Sequence, residues 1–291
     1  MPEDVRTCAL CGSDHSAPFD QRTFHGRKVT NRICLDCGLV YQSPRMTEVE
    51  ATVFYADEYR LFQEGSTDPT ARNLTIQKAR ASSLYDFIQP VLPAVFRHLD
   101  IGCSTGILLQ QFQDAYHNQA VGAEPGEAHR IHAREKGLTV YATLEDLEKA
   151  GEARFDLISI SHILEHLPDP VGTLTHLRER ILTPTGWLLL EVPNLYAHDS
   201  FEVAHLVAFS LHTLREVLNK SGFDIVIFAK HGRPNSALLP LYLMVLCRPA
   251  RQPGIRPVRP ERGVAIKRKV GMLWRRILTR LFPQRAWIVR G

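Results

Sequence analysis

The sequence lacks any long apolar run. The longest mainly apolar stretch is the 12-residue segment 236–247 of a 291-residue chain, shorter than the roughly 18 residues that a membrane-spanning helix needs. The N-terminus has no basic region followed by an apolar one, which is the pattern of a secretion signal. These absences argue against an integral membrane protein and predict a cytoplasmic location.

Acidic residues are almost missing from the C-terminal end. Residues 251–291 hold 12 Lys and Arg but one acid, Glu261, whereas the formal net charge of the whole chain is only +4. Residues 1–250 therefore contain 23 bases and 30 acids. The pattern predicts an acidic body with a basic tail, and the length favours one catalytic domain with small appendages.

The six cysteines do not suggest a disulfide framework, which is rare in the cytosol. Four of them form two Cys-x-x-Cys pairs, Cys8 with Cys11 and Cys34 with Cys37, and each pair is followed by glycine. Four thiolates without an open position are typical of a structural zinc site. The alternatives are reduced or disulfide-linked thiols, or a site in which His15 or His25 replaces one cysteine.

Short apolar runs alternate with helical or turn segments from residue 96 onward. The predicted strands are 96–101, 120–123, 139–141, 155–160, 187–192, 223–228 and 238–247. This alternation predicts an α/β fold with a doubly wound, mainly parallel, seven-stranded sheet. The last two strands are joined by a turn too short for a crossover helix, so we expect them to form an antiparallel hairpin.

A glycine-containing turn follows the first strand of this sheet. It runs Asp100-Ile-Gly102-Cys-Ser-Thr-Gly106 and leads into an apolar helix. The turn matches neither the dinucleotide pattern G-x-G-x-x-G nor a phosphate loop, because no Lys-Ser/Thr follows the last glycine. Glu124 ends the second strand, where an acid can accept hydrogen bonds from the ribose hydroxyls of a nucleoside.

Several segments together resemble the class I S-adenosylmethionine-dependent methyltransferases. They are LDIGCSTG, the acid in GAEP, RFDLISISHILEHLPDP, GWLLLEVPN and HLVAFSLHTLREVLNKSGF. The opening CALCG…CLDCGLVYQSPR, followed by FYADEYR, resembles the subset with an N-terminal zinc-binding module, many of which act on sugars or other small metabolites. The resemblance covers about residues 5–248, and it departs from the family at Ser104, where a glycine is frequent.

The resemblance implies a set of residues that bind S-adenosylmethionine. Those expected at its methionine part are Asp100, Gly102, Cys103 and Gly106; Glu124 is expected at the ribose, Leu144 and Glu145 at the adenine, and Ser161 and His162 near the sulfonium. Tyr55 and Tyr59 are candidates for a lid over the cofactor.

Two histidines are candidates for the general base that a hydroxyl or carbon acceptor requires. His205 lies between the fifth strand and the next helix, in a stretch rich in polar side chains, and is the first candidate; His162 is the second. The alternative role for His205 is to pin its loop by hydrogen bonding. His162 and His166 also match the H-x-x-E-H pattern of zinc peptidases, which requires a continuous helix that Pro168 excludes.

The basic tail is predicted to contain an amphipathic helix. Its apolar positions at helical spacing are Val270, Leu273, Trp274, Ile277, Leu278 and Leu281. Such a helix fits an anionic lipid surface, the acidic body or a protein partner, and, less well, nucleic acid.

The segments expected from the sequence are a zinc-binding module (1–43), a helical linker or lid (44–95), the cofactor-binding core (96–249), a Pro/Arg-rich linker (250–263) and a basic amphipathic helix (264–291). The leading functional hypothesis is methyl transfer to a small acceptor such as a sugar hydroxyl or carbon, by a cytoplasmic enzyme that is peripheral to the membrane if the tail binds lipid. An RNA methyltransferase that grips its substrate with the zinc module and the tail is the alternative, and a non-enzymatic binding module is a third hypothesis.

Overall fold

The chain folds into two compact units. The computed structural model describes residues 2–54, 59, 61, 65–251 and 257–288. The terminal unit comprises residues 1–47, 162–179 and 190–291, and the central unit comprises residues 48–161 and 180–189. Each unit therefore combines segments that are distant in the sequence.

The strands and helices alternate through most of the chain. In order they are β1 (Ser16–Phe24), β2 (Arg27–Cys34), β3 (Val40–Gln42), α1 (Glu48–Val53), α2 (Ala71–Ile88), β4 (Arg97–Ile101), α3 (Ile107–Tyr116), β5 (Gln119–Ala123), α4 (Glu127–Glu135), β6 (Thr139–Tyr141), α5 (Leu144–Lys149), β7 (Phe155–Ser161), a 3₁₀ turn (Leu164–His166), α6 (Pro170–His176), a π turn (Leu177–Ile181), β8 (Leu182–Pro193), β9 (Val207–Ala208), α7 (Leu211–Lys220), β10 (Phe223–His231), β11 (Tyr242–Pro249), α8 (Val264–Leu281) and α9 (Pro283–Ala286).

A seven-stranded mixed sheet confirms the predicted α/β fold class. Its strand order is β10-β11-β8-β7-β4-β5-β6. The strands β7, β4, β5 and β6 pair in parallel, while β10 and β11 form the expected antiparallel hairpin. The last strand begins at Tyr242 rather than Leu238, because the backbone N–H groups of Leu238 and Leu239 donate to Oγ of Ser236 and hold a turn there.

A smaller sheet belongs entirely to the terminal unit. Its order is β1-β2-β3-β9, and β3 pairs with β9 through Val40 and Ala208. Val40 and Ala208 also share a hydrophobic cluster with Leu195, Phe201 and Val264. The N-terminal strands, of which β2 ends at Cys34, are thereby packed against residues from the C-terminal half of the chain.

The predicted C-terminal helix is present as α8 and packs on the terminal unit by one face. Arg268 on this face donates to the backbone oxygens of Leu195 and His198, and Arg275 donates to that of Ala197. The backbones approach closely at Gly271, where a Cβ atom would lie 2.0 Å from the oxygen of Tyr196. The tail therefore docks on its own chain.

Glu261, the single acid of the tail, anchors this docking. Its carboxylate accepts hydrogen bonds from Tyr196, Ser210 and Lys267, and its backbone N–H donates to the oxygen of Cys37 at 3.0 Å. Burial alone would raise the pKa of Glu261, but these donors hold it below its usual value. An ionised Glu261 thus joins the tail to the loop after β8 and to the second cysteine pair.

The opposite face of α8 is apolar and exposed. Its members are Ile266, Val270, Leu273, Trp274, Ile277 and Leu281, with exposures between 37% and 69%. None of the described helices combines the length and the hydrophobicity needed to cross a membrane.

Candidate functional site

The glycine-containing turn after β4 has an unusual backbone. Gly102, Ser104 and Gly106 all have left-handed conformations, with φ of 74°, 50° and 75°. A Cβ atom at Gly106 would lie 2.2 Å from Cδ1 of Leu138 and 3.3 Å from Cβ of Ala133. Together with the left-handed backbone, this crowding favours glycine at the position. The turn brings backbone N–H groups to the start of α3, an arrangement that favours binding of a ligand with acceptor groups.

Glu124, at the end of β5, holds this turn in place. Its two carboxylate oxygens accept hydrogen bonds from the backbone N–H groups of Ser104 and Gly126, both at 2.9 Å. The side chain is buried, as the residue is only 3% exposed. A carboxylate has about four acceptor positions, so holding the turn does not prevent it from accepting ribose hydroxyls as well.

Asp100 belongs to a buried chain of polar groups in the central unit. The hydroxyl of Ser159 donates to Oδ1 of Asp100 at 2.6 Å and contacts Nε2 of His98 at 2.7 Å. Burial raises the pKa of Asp100 to about 7, against the lowering effect of Ser159, and the charge of Glu124 adds to the rise. Burial lowers the pKa of His98 to about 3, so His98 is neutral. S-adenosylmethionine carries two positive groups, and a cation near Asp100 would favour its ionised form.

The remaining predicted cofactor residues lie in three different surroundings. The side chain of Cys103 packs in a hydrophobic cluster with Leu109 and Val140. Leu144 and Glu145 begin α5, and Glu145 is exposed and paired with Lys149 at 2.7 Å. Ser161 is the last residue of β7.

Of the two tyrosines suggested as a lid, only Tyr59 lies within the described residues. Tyr59 contacts the ring of Phe54, with centroids 5.9 Å apart, whereas Tyr55 lies outside the described residues. Their role as a lid stays a prediction.

A cluster of histidines and buried carboxylates occupies the terminal unit. His162, directly after β7, has a left-handed backbone with φ of 56°. Its Nε2 lies 3.0 Å from Oε1 of Glu191, and its Nδ1 lies 3.3 Å from Oε1 of Glu165. The side chains of Glu165 and Glu191 are 1% and 0% exposed, whereas that of His162 is 26% exposed. Only a three-residue 3₁₀ turn follows, so no continuous helix carries both His162 and His166.

His205 and His166 meet in the same cluster, with ring centroids 4.8 Å apart. Nδ1 of His205 lies 2.8 Å from the oxygen of Ser200, and Nδ1 of His166 lies 2.9 Å from that of Ala204. A carbonyl oxygen only accepts, so both Nδ1 atoms carry a proton. Nε2 of His205 lies 2.7 Å from Oε1 of Glu202.

The charges of this cluster follow from its contacts. Burial alone would raise the pKa of Glu165, but the neighbouring imidazoles, His162 first, hold it at about 2. Burial lowers the pKa of His166 to about 4. For His205, burial is outweighed by Glu202 and Glu165, and its pKa is raised. The cluster thus contains an ionised carboxylate, a neutral imidazole and an imidazole that favours its charged form.

The sequence did not single out three further members of the cluster. Nε2 of His231 lies 3.0 Å from Oε2 of Glu191, and the ring of Tyr242 contacts those of His162 and His231. Glu191 was detectable as the one acid within the apolar run of β8. His231 and Tyr242 carry no comparable signal, because they are brought there by the antiparallel pairing of β10 with β11.

The four N-terminal cysteines lie together as their spacing predicts. The Sγ atoms of Cys8 and Cys37 are 3.5 Å apart, as are those of Cys11 and Cys34, and all four lie within 4.8 Å of one another. None of the six cysteines, all of which lie within the described residues, takes part in a disulfide. Tetrahedral zinc with Zn–S bonds of about 2.3 Å separates its sulfurs by about 3.8 Å, so the cluster has the dimensions of a zinc site.

The comparisons with known proteins concern the segment that contains the glycine-containing turn and most of the histidine cluster. The family described as "Methyltransferase domain" matches residues 70–227, more than half of the chain. The chain belongs to this family. It carries a class I S-adenosylmethionine-dependent methyltransferase domain, as the resemblance implied.

Among curated relatives, the ubiquinone biosynthesis O-methyltransferase of Cereibacter sphaeroides (strain ATCC 17025) is 37% identical over 105 residues, 34% of this chain and 41% of that protein. The one of Haemophilus ducreyi is 29% identical over 158 residues, 50% of this chain and 65% of that protein. The methyltransferase thus spans less than two thirds of the length of these relatives.

A solved structure supports the fold. The 1,6-didemethyltoxoflavin-N1-methyltransferase of Burkholderia thailandensis, with bound 1,6-didemethyltoxoflavin and S-adenosylhomocysteine, superposes with a TM-score of 0.57 at 19% identity, covering 79% of this chain and 99% of that one. At this identity the likeness concerns the fold alone.

The raised pKa of Asp100 predicts a pH-dependent cofactor affinity. If Asp100 interacts with the positive methionine end, its ionised form binds better, so the Kd for S-adenosylmethionine should fall as the pH rises through about 7. Isothermal titration calorimetry between pH 6 and 8 measures this change. Asp100→Asn should bind about tenfold more weakly at the upper pH and show no such dependence. An unchanged pH dependence in the variant would exclude this role, and Asp86→Asn, at an exposed position of α2, is the control.

Proposed function

We propose that this methyltransferase transfers a methyl group to a hydroxyl of a small molecule, such as a sugar or another polar metabolite. The observation that carries the proposal is the buried cluster of imidazoles and carboxylates in the terminal unit, which supplies groups that can take a proton from a hydroxyl. The names of the curated relatives specify O-methyl transfer, which supports oxygen rather than carbon as the acceptor.

The chain's own residues would prepare both reactants. S-adenosylmethionine supplies an activated methyl group on a sulfonium that is already a good leaving group. The turn at 102–106 and Glu124 would hold the cofactor, while Asp100 would face its cationic end. Most of the acceleration in such a displacement comes from alignment of the acceptor with the methyl carbon, and a general base adds typically about 10²–10⁴-fold.

His162 is our proposed base, ahead of His205. Its side chain is more exposed than that of His205, 26% against 9%. Glu191 and Glu165 lie beside its two ring nitrogens and would stabilise the imidazolium that forms when it takes a proton. Both histidines have acceptors beside both ring nitrogens, so the preference rests on exposure. The deeper position of His205 and its contacts to Ser200 and Glu202 fit a residue that holds the loop.

Replacement of His162 should therefore impair the chemical step. We expect His162→Ala to lower kcat by about 100-fold or more, because general-base catalysis is lost. The Kd for S-adenosylmethionine should change far less than kcat, because His162 is expected near the sulfonium but not at the methionine or ribose groups. A cofactor-turnover assay with nucleotide sugars and other hydroxyl-bearing metabolites as acceptors, together with calorimetry, measures both.

The control is His176→Ala, at an exposed position of α6. Turnover of His162→Ala close to that of this control would remove His162 from the mechanism and make His205 the leading candidate again. No turnover of the wild-type protein with any hydroxyl acceptor, but turnover with amine or carbon acceptors, would contradict O-methyl transfer.

We also propose that the four cysteines hold a structural zinc ion. The support is their mutual distance, the absence of a disulfide and the burial of three of the four side chains. Zinc there would close the two turns that precede β1 and follow β2. Four protein ligands leave no position for a substrate, so its contribution would be to stability.

Removal of one ligand should abolish this site. Cys34→Ser should lose the intense thiolate-to-metal absorption of the Co²⁺-substituted protein and unfold at a lower temperature, because metal binding contributes directly to folding. Cys247→Ala, which removes a thiol outside the cluster, should keep the absorption. A wild-type protein that shows no thiolate-to-cobalt band after anaerobic loading would contradict the proposal.

The outward face of α8 is proposed to bind anionic lipid. Its apolar stripe is exposed although the helix is docked, and the exposed cations Lys269, Arg276 and Arg280 lie on the same helix. A basic amphipathic helix with these features binds the headgroup region of a membrane. The methyltransferase would then work as a peripheral protein on a cytoplasmic membrane surface.

Vesicle flotation tests this surface without removing the tail. The full chain should float with vesicles that contain phosphatidylglycerol but not with pure phosphatidylcholine, and Trp274→Glu should lower the bound fraction about tenfold because it places a charge in the apolar stripe. Ile131→Glu, at a 46% exposed apolar position on α4, is the control. Equal binding by both variants would contradict the proposal.

A further inference from the structure

We propose that Glu165, His166 and His205 form a second metal site, which binds a divalent transition-metal cation. One ligand atom from each residue lies within 4.8 Å of those of the other two. The site is separate from the cysteine cluster in its residues and in its donor chemistry. Two imidazoles and one carboxylate provide a mixed nitrogen and oxygen donor set, whereas the cysteines provide only sulfur.

The hydrogen bonds of the two histidines prepare them as ligands. Nδ1 of His166 donates to the oxygen of Ala204, and Nδ1 of His205 donates to that of Ser200. In the neutral imidazole of His166 the lone pair then lies on Nε2. Nε2 of His205 lies 2.7 Å from Oε1 of Glu202, and a bound metal would replace the proton between these two atoms. A metal-binding histidine usually donates its other ring N–H to a carbonyl or carboxylate, which fixes the orientation of the ring. Both histidines meet this condition.

The carboxylate of Glu165 is buried without full compensation. Glu165 is 1% exposed, and neither of its carboxylate oxygens has a hydrogen bond of normal geometry to the described residues. The nearest ring nitrogens are Nδ1 of His162 at 3.3 Å and Nε2 of His205 at 4.0 Å. Buried charges are normally paired, hydrogen-bonded or bound to a metal, and a cation at this point would satisfy the carboxylate.

The backbone keeps the ligands in one place. Glu165 and His166 lie in the 3₁₀ turn, and His205 lies in the loop before β9. The two segments are tied together because the backbone N–H of Leu206 donates to the oxygen of Glu165 at 2.8 Å. Nothing in the arrangement requires the two segments to move for all three side chains to meet one ion.

The donor set indicates the class of cation. Imidazole nitrogen favours zinc, iron, nickel and related ions over magnesium and calcium, which prefer oxygen ligands. The carboxylate of Glu202 pairs with Nε2 of His205 when no metal is bound, so it is not counted among the ligands. Three protein ligands and an open position are typical of catalytic rather than structural metal sites.

A cation at this position would assist the proposed O-methyl transfer. A divalent metal lowers the pKa of a bound water or hydroxyl by several units, so it would ease the loss of the acceptor's proton to His162. With Glu165 bound to the metal, Glu191 would remain as the carboxylate that stabilises the His162 imidazolium. This role rests on the proposed O-methyl transfer. Metal binding itself does not depend on it, and the experiment below contains no acceptor.

Equilibrium dialysis of the full chain against Co²⁺ tests the site. Wild-type protein should bind one more equivalent of Co²⁺ per chain than Glu165→Gln and than His205→Gln, and the affinity of this equivalent should fall at least about 100-fold in both variants. The difference should be one equivalent whether or not the cysteine cluster is loaded. In absorption spectra, the extra equivalent of Co²⁺ should give only weak bands and no thiolate-to-metal charge-transfer band.

The controls separate loss of the site from loss of the fold. His176→Gln should bind as the wild type does, and the circular dichroism of each variant in a chelator shows whether it is folded. If both site variants fail to fold, X-ray absorption of the metal-loaded wild-type protein decides, because imidazole ligands must then be visible beside any sulfur. Equal Co²⁺ binding by wild type and folded variants, or a metal spectrum with sulfur ligands alone, would overturn the proposal.

Discussion

The burial of carboxylates is the constraint on which the functional loops of this methyltransferase depend. Asp100, Glu124, Glu165 and Glu191 are each no more than 4% exposed. A buried carboxylate without partners is strongly unfavourable, and removing one partner of a buried ion pair costs about 3–5 kcal/mol. Each acid therefore dictates the position of the groups around it. In the central unit these are hydroxyl and backbone N–H donors, and in the terminal unit they are mainly imidazoles.

Sequence analysis predicted those parts of the site that are encoded locally. Asp100, the following glycines and Glu124 all stand at or beside strand ends, and the strands themselves are short apolar runs between turns. By contrast, Ser159 reaches Asp100 because the two residues are register partners on β7 and β4. His231 likewise reaches Glu191 from a strand far along the chain. Strand register is not readable from one apolar run, so these partners were missed.

The C-terminal helix shows a different limit of pattern analysis. Its apolar stripe left lipid, the acidic body and a partner open as binding surfaces. In the structure the stripe is exposed, and the docked face holds Arg268, Gly271 and Arg275. The guanidinium groups of Arg268 and Arg275 donate to backbone oxygens of the loop after β8. Gly271 permits the close approach of the helix and loop backbones. Hydrogen bonds to an irregular loop carry no periodic signal. The docked face was therefore not predictable, although the isolated acid Glu261 marked the anchor point.

Two non-glycine residues with left-handed backbones connect these observations. Ser104 and His162 each follow a strand, and such conformations cost about 1–3 kcal/mol. In both cases a buried glutamate provides compensation. The carboxylate of Glu124 accepts a hydrogen bond from the backbone N–H of Ser104. The backbone oxygen of Glu191 accepts one from the backbone N–H of His162, and the Glu191 carboxylate contacts the His162 ring. Loss of the Glu124 side chain would release the backbone N–H of Ser104. Loss of the Glu191 side chain would keep the backbone hydrogen bond of His162 and remove only the contact to its ring. The same device thus shapes the turn expected to hold the cofactor and the position of the proposed base, which explains why strained residues can persist at both loops.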